Sequence, residues 1–188
     1  MPSLVVKESN WRRTLQTALA EERTIAIPDE FDRVFQAYHG LVFRTAYRIT
    51  GNAADAEDVS QNVFLRVFRR GEHREALENE ESYLRRSAIN AALDVLRSRQ
   101  ADRTVELTDL PAEPVHNESR ELRQALGRAL ARLKPRPAEI FALRFLEGFT
   151  NPQIARMLGL SQVLVAVIVH RTRQQLRKEL GAHLGDRS

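Results

Sequence analysis

Cysteine is absent from the 188 residues. Its absence excludes a disulfide framework and thiolate metal sites, and it points to a reducing compartment. Long apolar runs are missing as well: none reaches the roughly 18 residues that span a bilayer. The opening MPSLVVKESNWRR lacks the basic-then-apolar order and the small-residue cleavage site of a signal peptide. The expectation is a cytoplasmic protein with no membrane insertion. Glycine is scarce, at 8 residues, and the 5 histidines (His39, His73, His116, His170, His183) are scattered with no E-x-x-H pair. A helical metalloenzyme built on Asp55, Glu57 and Asp58 therefore has little support, and no metal or cofactor is expected. What is present is 43% hydrophobic residues, enough for a real core, and a net charge of +4 with a pI near 9.9. That balance favours a polyanionic partner only weakly, since arginine on a helical surface is more often solvated than bound.

Periodicity is helical almost everywhere, and no alternating strand runs beyond a few residues. Residues 10–23 (NWRRTLQTALAEER) place Trp11, Leu15, Ala18 and Leu19 at helical spacing, and TIAIP follows as a brief extended segment. Asp29 suits an N-cap, and Phe31, Val34, Phe35, Tyr38, Leu41, Val42, Thr45, Ala46 and Ile49 then form one broad stripe. After the turn at Gly51 and Asn52, Asp55 is expected to cap a helix burying Ala56, Val59, Val63, Phe64 and Val67, with Glu57, Asp58, Gln61 and Arg66 wet. A loop, GEHREALENE, leads to a helix with Tyr83, Leu84, Ala88, Ala91, Ala92, Val95 and Leu96 inward. Arg85, Arg86, Arg97 and Arg99 are expected to point outward from it, making it the first clearly basic helix.

Residues 104–119 (TVELTDLPAEPVHNES) have two prolines, several acids and no period, and read as a flexible linker. The expected organisation is all-α, with a lead-in over 1–28, a helical domain over 29–103, the linker over 104–119 and a second helical domain over 120–184. In the second domain QIARMLGLSQVLVAVIVHR has the layout of a helix-turn-helix. Ile154, Ala155 and Leu158 are inward on a short helix, Gly159 is in the turn, Ser161 is the N-cap, and Val165 and Val169 complete the core. Ala155 is small where two helices crossing near a right angle need no bulk.

DAEDVSQNVFLRVFR, then YLRRSAINAALDVLR, then a linker and a helix-turn-helix together resemble the sigma-70 family, specifically its small extracytoplasmic-function (ECF) sigma factors, over residues 31–180. The resemblance implies a transcription initiation factor without catalytic chemistry of its own. Its partners would be core RNA polymerase, through the β′ clamp and the β flap, promoter DNA and an anti-sigma factor. Asp55, Glu57, Asp58, Gln61 and Phe64 match region 2.2, which docks on the β′ clamp coiled coil. Asp58 and Gln61, one turn apart, can pair with basic and polar groups of a partner helix, although a solvated acidic first turn would look the same. Tyr83, Arg85, Arg86, Asn90, Asp94, Arg97 and Arg99 fall in regions 2.3 and 2.4, which open and read the −10 element; the family usually has Trp where Tyr83 stands. Arginines there can hold phosphates while unstacked bases are captured. The acidic linker suits the family's path through the RNA-exit region of the polymerase.

Residues 130–161 follow the region 4 pattern, with Lys134 in place of a common proline, Ala138 in place of an arginine, and Asn151-Pro152 ahead of the first helix of the motif. Ser161, Gln162, His170, Arg171 and Arg173 are the −35 candidates. Where the family commonly shows S-x-G-T-V-K-S-R-L, this chain has SQVLVAVIV, which is strand-like in composition but must be helix in this layout. Nothing in VLVAVIV can form a bidentate bond to a base edge, so −35 reading is expected to be weak and Leu164, Val167 and Ile168 to meet protein instead. The competing reading is a helix-turn-helix repressor whose N-terminal half merely dimerises.

Overall fold

In a computed structural model of the chain, residues 29–69, 79–105 and 118–185 are described, and every regular element among them is helical. The expected lead-in over 1–28 lies outside the described residues, as does most of the expected linker. Three helices make the first half: α1 (Asp29–Thr50), α2 (Ala53–Arg69) and α3 (Glu80–Val105). The α1 stripe is buried at Phe31, Val34, Phe35, Val42, Thr45, Ala46 and Ile49, with Tyr38 and Leu41 packed at its edge. Phe64 of α2 meets Phe35 at 4.8 Å between ring centroids, edge to face, and Ala56, Val59, Val63 and Val67 fill the space against α3. Each Val, Ile or Phe side chain sealed in this way contributes about 1.5–3 kcal/mol of transfer free energy.

Gly51 takes the left-handed conformation, φ +66°, that ends α1. The cap of α2 differs from expectation: Asn52 Oδ1 accepts the Asp55 backbone amide at 3.2 Å. Asp55 therefore stands inside the first turn, where its side chain is free to reach α3. Asn79 caps α3 in the same way, accepting the Ser82 amide at 2.8 Å.

The second half comprises α4 (Glu118–Arg132), α5 (Pro135–Phe141), α6 (Asn151–Leu158) and α7 (Gln162–Gly185). Pro135 sits at the start of α5, where a missing N–H costs nothing. That helix widens into a π turn over Ala142–Leu146, closed by the Glu147 amide bonding the Ala142 carbonyl at 3.0 Å. Gly148, at φ +79°, then reverses the chain. Asn151-Pro152 proves to be the first turn of α6, and the Thr150 amide ahead of it bonds Gln153 Oε1 at 2.8 Å. Gly159 ends α6 at φ +63°, and Ser161 Oγ caps α7 by accepting the Leu164 amide at 3.2 Å. The chain turns through 111° between α6 and α7, with Ala155 buried where they meet.

VLVAVIV is helical, as the layout required. Val165 is fully buried, Val169 is partly packed, and the stripe continues through Thr172 and Leu176. Ile168, expected on the outer face, is instead packed against the core.

The two halves share one continuous apolar core. Helix α3 packs on α1 and α2 along one side and on α4 and α5 along the other, while the π turn touches α1. Gly127 of α4 faces Leu96 of α3: a Cβ there would lie 3.6 Å from Leu96 Cδ2, an ordinary van der Waals contact. No single helix among the described residues is long and apolar enough to cross a membrane.

Candidate protein and nucleic-acid interface

The residues expected at a functional surface fall into three groups. On α2, the side buried against α1 and α3 leaves Glu57, Asp58 and Gln61 exposed together on a rigid helix. Phe64 lies in the core, and Asp55 is buried with Oδ1 accepting from Arg99 Nη2 at 2.5 Å. These two hold the helix in place rather than standing on its outer face.

On α3 the basic side is not the solvated face that its period suggested. Arg85, expected outward, is only 14% exposed along its side chain. It reaches across to Glu147 of the second half, bonds Glu81 at 2.5 Å within its own helix, and lies 5.3 Å from the Phe149 ring centroid. Arg86 donates from Nε to Glu139 Oε1 at 2.9 Å and from Nη1 to the Met157 carbonyl at 3.2 Å. Asn90 approaches the same Glu139 oxygen at 3.4 Å. Arg97 pairs with Asp94 at 2.7 Å, Arg99 with Asp55, and Tyr83 is half-buried. Most of the cationic side of α3 is thus engaged by carboxylates of the chain itself.

On α7, Ser161, Gln162, His170, Arg171 and Arg173 are all exposed. So are Val163, Leu164 and Val167 on the front of that helix, at 74%, 44% and 39%. Neither Gln162 nor Arg171 or Arg173 has a carboxylate partner among the described residues.

Two carboxylates that carry this geometry, Glu147 and Glu139, have no signal in the sequence. Glu147 is fully buried along its side chain, and it accepts from Thr45 Oγ1 at 3.2 Å, from Arg48 Nη1 at 2.8 Å and from Arg85. Glu139, similarly sealed, is shared by Arg86 and by Arg136 at 3.0 Å. Each bond to Glu147 spans about a hundred positions or more than sixty, beyond the reach of any local pattern.

Against known families, residues 34–102 match the Sigma-70 region 2 model and residues 123–176 match the Sigma-70 region 4 model. The RNA polymerase sigma-E factor of Streptomyces coelicolor is 30% identical over 155 residues, which covers 81% of this chain and 87% of that one. The chain belongs to the sigma-70 family. Its relatives are ECF factors, so it is an ECF sigma factor, of the polymerase-associated transcription initiation class. The ECF RNA polymerase sigma factor SigE of Mycolicibacterium smegmatis is 34% identical over 162 residues, and the alignment takes in 81% of this chain but 62% of that relative's length. Among solved structures, the sigma factor RpoE in complex with the anti-sigma factor NepR from Bartonella quintana superposes with a TM-score of 0.50 at 20% identity, covering 81% of this chain and 97% of that one. CnrH in complex with the cytosolic domain of CnrY gives 0.53 at 22% identity, covering 90% and 97%. Both likenesses agree with an all-α fold of region 2 and region 4 domains. Neither comparison lends support to the repressor reading.

Proposed function

We propose that this ECF sigma factor docks on the β′ clamp of core RNA polymerase through the exposed face of α2, seats its second half on the β flap, and directs the assembly to promoters in the cytoplasm. It works by binding and not by catalysis. The observation that carries the reading is the group Glu57, Asp58 and Gln61, held exposed on a helix whose opposite side is locked into the core. A carboxylate and an amide presented on a rigid element are pre-organised, so little ordering entropy is lost when a partner helix pairs with them.

Helix α3 supplies the −10 contacts. Arg97 and Arg99 neutralise phosphate, Tyr83 and Asn90 face captured bases, Asp94 orients Arg97, and Arg85 and Arg86 join once released from their carboxylates. Helix α7 supplies a weak −35 contact through Gln162 near the bases and His170, Arg171 and Arg173 near phosphate, with Ser161 holding the helix end. The exposed strip Val163, Leu164 and Val167 offers thymine methyl contacts but no bidentate readout, which leaves out roughly 1–3 kcal/mol per base. A strip of that kind suits a protein cover, and an anti-sigma factor is the partner that fits it. Co-purification of the chain with core polymerase, followed by run-off transcription from genomic promoter fragments, tests the function: discrete transcripts that need the chain support it, and failure to bind core polymerase would overturn it.

A further inference from the structure

Among the described residues, every donor to the Glu147 carboxylate comes from the first half of the molecule: Thr45 Oγ1 at 3.2 Å and Arg48 Nη1 at 2.8 Å from α1, and Arg85 from α3. Among the described residues of the second half, to which Glu147 belongs, none donates a hydrogen bond to that carboxylate. A fully sealed carboxylate costs several kcal/mol in lost hydration, offset only by such donors. One hydroxyl and two guanidinium groups converging on a pair of oxygens is also the donor set that recognises a phosphodiester. On the same helix α1, Phe43 and Tyr47 stack at an interplanar angle of 10°, and Tyr47 is 41% exposed, open to stacking by a base.

We propose that Thr45, Arg48 and Arg85 form a phosphate pocket for single-stranded DNA, in which Glu147 takes the place of the phosphate while the two halves are closed. The inference rests on the reading of α3 as a single-strand contact. It adds Thr45 and Arg48 to that surface and gives the closed chain an internal competitor for DNA. Glu139 holds Arg86 in the same closed arrangement. Opening the halves frees both arginines together.

The test is fluorescence anisotropy of labelled oligodeoxythymidylate with the full-length chain across a salt series. Glu147→Gln is expected to bind roughly tenfold tighter than the unmodified chain, the gain of removing one competing charge-assisted contact set. Its salt slope should steepen by about 0.7, for the one phosphate the pocket neutralises. Arg48→Ala placed in the Glu147→Gln chain should return both quantities towards the unmodified values. Glu147→Asp keeps the charge but withdraws the carboxylate; it carries the same expectations if Glu147→Gln loses far-UV helicity. Equal affinity and slope in the Glu147 variants, or a gain that survives Arg48→Ala, would overturn the pocket. So would inorganic phosphate competing as strongly as the oligonucleotide, since that would mark a site for free anions. Arg97→Ala separates the two readings: if it weakens oligonucleotide binding while the Glu147 variants change nothing, α3 still binds DNA and only the pocket is wrong.

Discussion

The two basic helices meet the rest of the molecule in opposite ways. Helix α3 is packed on both long sides, and its arginines end on Glu139, Glu147, Asp94 and Asp55. Helix α7 is anchored by a single stripe through Val165, Thr172 and Leu176, and it presents His170, Arg171, Arg173 and an apolar front to solvent. Positive charge in the sequence thus marks two different conditions: cations already satisfied inside the chain and cations awaiting a partner. What separates them is the supply of buried carboxylates from the facing half.

The comparison is broken most severely in the core. Leu93 of α3 is fully buried, so Leu93→Ala is expected to cost about 3 kcal/mol and lower Tm by about 6–12 °C, whereas Leu164→Ala on α7 should stay within about 0.5 kcal/mol by the same thermal melt. Next in size is the loss of a shared ion pair. Arg86→Ala leaves Glu139 with Arg136 and Asn90, and should cost about 1–2 kcal/mol in urea unfolding, while Arg171→Ala should leave the midpoint unchanged. A loss as large from Arg171→Ala would mean that α7 has an internal partner after all.

Much of the fold was legible because it rests on local chemistry. The α1 stripe, the Gly159 turn, the Ser161 cap and the helical state of VLVAVIV all follow from spacing and capping within a few residues. The α2 cap was misplaced by three residues, because Asn52 and Asp55 can each do the work and only the tertiary pull of Arg99 decides between them. The inward turn of Arg85 and Arg86 could not be read at all. A helix buried on two sides has no single period, and Glu139 and Glu147 look like ordinary surface acids until the halves are brought together. Ile168 misled for a similar reason: in a run of seven apolar residues the period cannot tell which ones face the core.

Smaller effects sharpen the contrast at α7. Val163→Lys with Val167→Arg places charge on exposed positions, so duplex DNA binding should gain a salt slope of about 0.9 per new phosphate contact, with unchanged Tm. Ile168→Arg, by contrast, would force a charge into packed space and should destabilise the helix-turn-helix. Arg171→Ala alone should reduce the slope by about 0.9, the smallest of these shifts.

The central claim concerns neither basic helix but the exposed face of α2, and a titration of core RNA polymerase with labelled full-length chain tests it most directly. For Asp58→Ala combined with Gln61→Ala, the account predicts affinity lower by about 2–4 kcal/mol, or about thirty- to a thousand-fold, with far-UV helicity intact. Equal affinity of the double variant and the unmodified chain would contradict it.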